Sequence, residues 1–153
     1  MTDALYQTDG DFMSLALAEA QKAAEEGEIP VGAVLVKDGR VIAAAHNRRE
    51  LASDASAHAE ILCIREGGRL LGGWRLTGCT LYVTLEPCPM CAGAVINARL
   101  DRVVFGAYDH RAGSFGSLIN LALYPYNHRP DIEGGVMEEE AKALLQTFFR
   151  EKR

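Results

Sequence analysis

The sequence has no long hydrophobic run, no internal repeat and no excess of positive charge. No apolar stretch approaches the roughly 18 residues that a membrane-spanning helix needs. The first eleven residues contain three Asp but no Lys or Arg, so we expect neither a membrane segment nor a secretory signal peptide. The 16 Lys and Arg residues are outnumbered by 21 Asp and Glu residues, for a net charge of −5. Any contact with RNA therefore depends on a local basic patch.

Cysteine is also scarce. Its four residues are Cys63, Cys79, Cys88 and Cys91. Because no export signal precedes them, we expect free thiols or metal ligands in the cytoplasm rather than two disulfides. The length of 153 residues, with 48% hydrophobic and 24% charged residues, is typical of one soluble domain. No low-complexity tract divides the chain, so we expect one domain over residues 1–153.

The hydrophobic pattern predicts alternating helices and strands. Helices are predicted over residues 11–27, 57–65, 88–98 and 137–150, and strands over 31–36, 41–45, 80–85, 102–107 and 131–136. Asp9 or Asp11 is predicted to cap the first helix, and Asp38-Gly39 to form a tight hairpin turn. A strand, a helix and a strand in succession predict a right-handed parallel crossover. The elements together predict an α/β fold with a mixed sheet and helices on its faces.

Two short motifs lie where helices are predicted to begin. They are His58-Ala59-Glu60 and Pro87-Cys88-Pro89-Met90-Cys91. Cys88 and Cys91 are three positions apart, so on a first helical turn their sulfurs point the same way and can share one tetrahedral ion. The positive end of the helix dipole also favours thiolates there. With His58 as third ligand and no obvious fourth, the pattern predicts an open, catalytic zinc site.

Glu60 is the candidate proton carrier of that site. An open position on zinc holds a water whose pKa falls from about 15.7 to near 7, and a base must accept its proton. Residues two apart in a regular helix point about 200° from each other, so His58 and Glu60 cannot both face sideways into one pocket. We therefore predict that His58 lies at the N-terminal edge of its helix and that the site lies off the helix end.

Other interpretations exist for each motif alone. A lone His is usually a hydrogen-bonded structural residue, and a lone Glu at a helix start usually complements the dipole. Cys-x-x-Cys also occurs in redox pairs and in zinc ribbons. A ribbon needs a second close pair, whereas Cys63 and Cys79 are far apart in sequence and are typical of buried small hydrophobic residues. A redox pair leaves His58 and Glu60 unexplained.

His-x-Glu followed by Pro-Cys-x-x-Cys is the signature of zinc-dependent nucleobase deaminases. Beyond it, nearly the whole chain resembles the bacterial tRNA-specific adenosine deaminases, which make inosine at the wobble position of tRNA. The similar segments are residues 29–34, 46–48, 57–60, 81–94, 103–107, 127–128 and 148–150. The resemblance implies a three-layer α/β/α cytidine-deaminase-like fold with about five strands, one zinc ion per chain, a homodimer, and the anticodon stem-loop of tRNA as partner.

The resemblance also implies roles for particular residues. Glu60 takes a proton from the zinc-bound water and passes it to adenine N1, the hydroxide attacks C6, and Glu60 then protonates the departing amine. Asn47 and the backbone N–H of Ala59 contact the target nucleoside, and Asp109 faces an RNA sugar. Without the resemblance, Asn47 is also compatible with a turn that ends a strand, and Asp109 with a solvated loop.

Single-stranded RNA loops are bound through stacking side chains and local positive charge. Arg48, Phe149 and Arg150 are therefore the RNA-binding candidates, and Arg49, Arg111 and Arg129 are further basic ones. The segment 148–153 combines aromatic and basic groups, although Phe148 or Phe149 also suits the core face of a helix.

Two other functions fit the same motifs. A free nucleobase or nucleotide deaminase, of the guanine or deoxycytidylate type, shares the fold and the zinc site. A noncatalytic RNA-binding or structural zinc protein keeps the metal but closes its fourth position. A tRNA substrate is favoured by resemblance to the tRNA-specific adenosine deaminases in residues 103–107, residues 127–128 and the aromatic and basic C-terminal residues.

Overall fold

The computed structural model describes residues 8–152 and has one five-stranded mixed sheet. The strands are β1 (Gly32–Lys37), β2 (Arg40–His46), β3 (Cys79–Leu85), β4 (Arg102–Ala107) and β5 (Asp131–Glu133), in the order β2-β1-β3-β4-β5. The helices are α1 (Asp9–Glu25), α2 (Ala59–Leu71), α3 (Pro89–Asn97) and α4 (Glu138–Glu151), with a short 3₁₀ turn at Leu121–Leu123. Strand β1 is antiparallel to β2 and β3, whereas β3, β4 and β5 are parallel. The predicted mixed α/β fold is confirmed.

The helices cover both faces of the sheet. Strand residues alternate between two cores, so that Val34, Tyr82 and Val104 pack with α1 on one face. Leu35, Val83 and Phe105 pack on the other face with residues of α2 and α3. Helix α4 contacts α1 and β4, next to Val136 and Met137 of the first core. The predicted three layers are therefore present.

Helix α1 begins two residues earlier than the periodicity predicts, and the predicted cap was wrong. Thr8, rather than Asp9 or Asp11, is the N-cap residue. The Thr8 hydroxyl accepts a hydrogen bond from the Asp11 N–H at 3.1 Å, and the Asp11 carboxylate accepts one from the Thr8 N–H at 3.2 Å. This reciprocal capping box satisfies two backbone donors, one more than a single side-chain cap.

Two further bounds differ from the prediction by more than two residues. Helix α2 runs on to Leu71 and ends at Gly72, which has a φ of 75°, whereas the pattern predicted an end at Arg65. Strand β5 ends at Glu133 instead of continuing to Val136. The hairpin between β1 and β2 turns at Asp38 and Gly39, with φ values of 52° and 76°, as predicted.

The sheet brings three loops to one edge. His46 at the end of β2 pairs with Gly32 at the start of β1, and Ala33 pairs with Val83 near the end of β3. Because β3 and β4 are parallel, their carboxyl ends lie at this same edge. The segments that follow β2, β3 and β4 therefore meet beside the starts of α2 and α3. Between residues 8 and 152, no helix is both long and apolar enough to cross a bilayer.

Candidate active site

Two of the predicted metal ligands occupy N-cap positions. His58 immediately precedes α2 and Cys88 immediately precedes α3, and both have extended backbone conformations. Neither side chain caps its own helix, so both are free to face the space off the helix ends. The predicted position of His58 at the helix edge is confirmed, and Glu60 in the first turn can face the same space.

The geometry of the three donors fits a zinc ion. The His58 Nδ1 atom lies 3.6 Å from the Cys88 Sγ atom and 3.6 Å from the Cys91 Sγ atom. All three ligand atoms lie within 4.8 Å of one another. A tetrahedral zinc with bonds of about 2.3 Å to sulfur and about 2.0 Å to nitrogen separates these atom types by about 3.6 Å. The arrangement therefore needs little adjustment to hold the ion.

The protonation chemistry of the two thiols also suits a cation. Hydrogen bonds from Cys91 and His58 lower the pKa of Cys88 to about 4, against the effect of burial. The pKa of Cys91 is raised because it donates to Cys88 and because it is buried near the Glu60 carboxyl. The pKa of His58 is raised, chiefly by its hydrogen bond to Cys88. A divalent cation removes the penalty for a second thiolate, so this donor set fits zinc.

Glu60 is buried beside these donors, with 4% of its surface exposed. Burial raises the pKa of Glu60 to about 7, while its own backbone N–H and the nearby His58 act in the opposite direction. A carboxyl with such a pKa can accept and release a proton near neutral pH. The site therefore pairs a metal centre with a proton carrier.

A cavity of about 220 Å³ opens onto these side chains. Residues predicted as functional that line it are Asn47, His58, Ala59, Glu60, Cys88 and Asp109. Apolar contacts come from Ile29, Val31 and Leu85. Cys91 is fully buried behind the cavity. Residues from the three loops thus meet around one small, partly apolar space, which suits a planar heterocycle.

Asn47 is held by its surroundings but keeps hydrogen-bonding capacity. Its Oδ1 atom accepts from the Arg49 N–H at 3.2 Å, and its Nδ2 atom donates to the Ile29 carbonyl at 3.4 Å. An amide has two acceptor sites and two donor hydrogens, so one of each remains for a ligand. The turn and the substrate interpretations of Asn47 are compatible.

Asp109 lines the cavity from the loop that follows β4. Its carboxylate accepts from the Arg111 N–H at 3.0 Å and the Ala112 N–H at 3.3 Å. These hydrogen bonds fix the direction of the half-buried Asp109 side chain, whereas the carboxylate of a freely solvated acid has no fixed direction.

The three RNA-binding candidates do not line the cavity. Arg48, Phe149 and Arg150 are exposed, and the last two belong to α4, which packs on the sheet face opposite α2 and α3. Arg49, predicted only as a further basic candidate, does line the cavity. Arg153, the last residue of the predicted basic segment, lies outside the described residues.

Sequence reasoning missed two buried carboxylates next to the site. Glu28 accepts hydrogen bonds from the backbone N–H groups of Glu50 and Leu51, at 3.1 and 2.7 Å. Glu86 accepts from backbone N–H groups of the loop after β4. The available signal was an acidic residue placed beside apolar strand residues, directly before Pro87 in the case of Glu86.

Within residues 8–152 the cluster has three donors, which suits a zinc that activates water rather than one that only supports the fold. Together with the three layers, this defines the class of zinc-dependent deaminases. The sequence of residues 6–107 matches the protein family described as the cytidine and deoxycytidylate deaminase zinc-binding region. The tRNA-specific adenosine deaminase of Bacillus subtilis is 54% identical over 143 residues, which cover 93% of this chain and 89% of that protein. The chain belongs to the tRNA-specific adenosine deaminase family within the cytidine and deoxycytidylate deaminases.

Solved structures extend this comparison. One, from a study of A-to-I editing by tRNA:A34 deaminases at the wobble position of transfer RNA, is 48% identical, with a TM-score of 0.85. The match covers 88% of this chain and 98% of that one. A guanine deaminase from Bacillus subtilis is 31% identical, with a TM-score of 0.65, over 94% of this chain and 95% of that one. The fold is therefore shared by enzymes with different substrates.

Proposed function

We propose that this protein hydrolyses adenosine to inosine at wobble position 34 of tRNA and releases ammonia. The observation that carries the proposal is the cavity lined by His58, Cys88 and the buried Glu60 carboxyl, with Cys91 completing the set of three metal donors behind it. Identities of 54% to a tRNA-specific adenosine deaminase and 48% to the tRNA:A34 deaminase structure support the substrate.

In this proposal His58, Cys88 and Cys91 hold the zinc, which when bound makes water a nucleophile near neutral pH. Glu60 accepts the proton that the attacking water loses and delivers it to adenine N1. It then takes the remaining proton of the added oxygen to the departing amine. Water and adenosine thus become inosine and ammonia, and Glu60 returns to its starting state. Its pKa of about 7 suits a group that must both accept and donate.

The substrate contacts follow from groups that still have hydrogen-bonding capacity. Asn47, which retains one donor and one acceptor, lines the cavity. The backbone N–H of Ala59 lies at the first position of α2, where helices leave N–H groups unpaired. Asp109 accepts from a sugar hydroxyl in this proposal. The cavity admits a base only when that base has left its stack, which costs least in an open loop such as the anticodon.

The decisive experiment compares substrates with the zinc-loaded protein. An anticodon stem-loop with A34, the same stem-loop with G34, free guanine and deoxycytidylate are incubated separately, and inosine and ammonia are quantified. We expect inosine at position 34 and an equal amount of ammonia from the A34 stem-loop alone. Turnover of guanine or deoxycytidylate without turnover of A34 would overturn the proposal.

A free nucleobase deaminase is the second candidate. The 31% identity to a guanine deaminase over almost the full length of both chains favours it. The same substrate comparison separates the two candidates, because a free-base enzyme does not need the stem-loop.

We further propose that residues 1–153 form one deaminase domain, that two copies form a homodimer, and that the protein works in the cytoplasm. The free thiols Cys63 and Cys79 support a reducing compartment. Arg48, Phe149 and Arg150 remain proposed RNA contacts, supported by their exposure. Phe149 is 48% exposed, so part of its ring is available for stacking.

A further inference from the structure

The proposed chemistry does not use Glu86, yet this carboxylate is almost fully buried, with 1% exposure. Its hydrogen bonds reach into the segment 108–119, here called the Asp109 loop. The Oε1 atom accepts from the Asp109 N–H at 3.0 Å and from the Ser117 hydroxyl. The Oε2 atom accepts from the Phe115 N–H at 3.2 Å and the Ser117 N–H at 3.0 Å. One side chain thus holds both ends of the loop.

The same loop is attached to the turn that carries a zinc donor. Glu86 and Pro87 directly precede Cys88. The Pro87 carbonyl accepts from the Ser114 N–H at 2.9 Å, and the Glu86 N–H donates to the Ala107 carbonyl at 2.9 Å. Movement of the Asp109 loop therefore requires breaking bonds to the segment that begins α3.

The loop fits tightly around the carboxylate. A Cβ atom at Gly113 would lie 2.4 Å from the Glu86 Cδ atom and 2.4 Å from the Asp109 carbonyl oxygen. Only glycine permits this approach. The Gly113 N–H also donates to the Asp109 carbonyl at 2.8 Å. Glu86 consequently determines where the Asp109 backbone lies, and the Asx bonds of Asp109 then direct its carboxylate.

We propose that Glu86 is a positioning residue that fixes the Asp109 loop as a wall of the cavity before tRNA binds, and so raises the affinity for tRNA. This inference rests on the proposed function, because Asp109 is the proposed RNA contact. Four hydrogen bonds to one buried carboxylate compensate its desolvation. They also reduce the conformational entropy that substrate binding would otherwise have to remove from the loop.

The test substitutes Glu86→Gln, which keeps the size but turns one acceptor atom into a donor facing N–H groups. We expect the KM for the A34 stem-loop to rise about tenfold, because the loss of a hydrogen bond to a charged group has an effect of about this size. We expect kcat to fall by less than about threefold, because the loss affects substrate binding rather than the chemical step. Zinc content should equal that of the unmodified protein, because the bonds of the Glu86 carboxylate go to the loop and not to the zinc donors.

A double-mutant cycle with Asp109→Ala distinguishes positioning from general support of the fold. If Glu86 acts through Asp109, Glu86→Gln raises KM much less in the Asp109→Ala background than in the unmodified one. Additive effects on KM, or a loss confined to kcat and zinc content, would overturn the proposal.

Hydrogen exchange gives a readout without RNA. In Glu86→Gln we expect the amides of Asp109, Phe115 and Ser117 to exchange about tenfold faster. The matched control is Asp9→Asn, which removes a carboxylate whose partners, Arg102 and Tyr82, lie outside the loop. It should change neither loop exchange nor KM. Unchanged loop exchange in Glu86→Gln would contradict the proposal.

If Glu86→Gln fails to fold, Ser117→Ala is used instead. It removes the hydroxyl donor to Glu86 and leaves the three backbone N–H donors to Glu86 in place. Faster exchange of the loop amides with raised KM supports the positioning role, and unchanged values of both contradict it. A zinc-loaded protein that leaves A34 unmodified would defeat the proposed function alone, and the exchange experiment would still decide what Glu86 does to the loop.

Discussion

Glu60 combines burial, a pKa of about 7 and proximity to three metal donors. Glu60→Gln preserves size and removes proton transfer. We expect zinc content and stem-loop binding to be retained while turnover falls by at least about 10²–10⁴-fold, the range that general acid–base catalysis contributes. Single-turnover release of ammonia measures the loss, and metal analysis provides the control. Unchanged ammonia release would show that another group carries the proton.

At the residue scale, the sequence predicted the groups whose chemistry restricts both type and spacing. His58, Cys88 and Cys91 could be found because zinc accepts few ligand types and the Cys spacing matches a helical turn. Glu28 and Glu86 could not be found in this way. Apart from the Ser117 hydroxyl, their partners are backbone N–H groups of remote loops, and every residue except proline offers such a group.

At the scale of elements, the ion pair between Asp9 and Arg102 helps to link α1 to the sheet. The Arg102 guanidinium donates to both oxygens of Asp9, at 2.9 and 2.7 Å, and the Tyr82 hydroxyl donates to Asp9 at 2.7 Å. The hydrogen bond from Arg102 is the main reason that the pKa of Asp9 lies below its usual value, with burial acting against it. The start of α1 is thus tied to β3 and β4.

Asp9→Asn should therefore lower the free energy of unfolding by about 1 kcal/mol at pH 7, since the pair is partly exposed. The pKa of Asp9 is lower in the folded protein than in the unfolded chain. The stabilisation is therefore complete above the pKa of Asp9 in the unfolded chain, about 3.9, and is lost as the pH falls through the pKa of Asp9 in the folded protein. Chemical denaturation at pH 7 and near pH 3 measures both. A difference between the two proteins that persists unchanged at the lower pH would contradict this account.

The ends of the helices and strands are where the local sequence pattern alone is insufficient to predict the structure. Thr8, Asp9 and Asp11 are all good capping residues, so the sequence left the cap ambiguous. Gly67 and Gly68 disfavour a longer α2. However, a Cβ atom at Gly67 would lie 2.4 Å from the Leu35 Cδ2 atom, so a side chain at this position would displace Leu35 of β1. At Gly67 the contact with β1 outweighs the low helix propensity of glycine. The residue pattern of the α2 segment alone does not reveal this contact.

At the scale of the whole molecule, the proposed homodimer needs an apolar surface. Leu118, Leu123 and Tyr126, in the segment that follows β4, are 64%, 72% and 52% exposed. Large exposed apolar side chains within one segment are compatible with an interface, and we propose a second copy of this chain as the partner. Leu118 belongs to the Asp109 loop, so association would also support the cavity wall.

Leu123→Glu should shift the sedimenting species from twice the chain mass toward the 16.6 kDa of one chain, because a buried charge would oppose the interface. Val41→Glu is the matched control on the edge strand β2, where Val41 is 38% exposed. It should leave the mass unchanged. An unmodified protein that sediments as one chain at micromolar concentration would refute the dimer.

The proposed reaction requires above all a zinc that is held by three side chains and retains a position for water. X-ray absorption at the zinc edge of the loaded protein measures the ligands directly. We predict two sulfur donors, one imidazole nitrogen and one oxygen, with one zinc per chain. Four protein donors, or a sulfur count other than two, would contradict the account, because such an ion could not supply the attacking water.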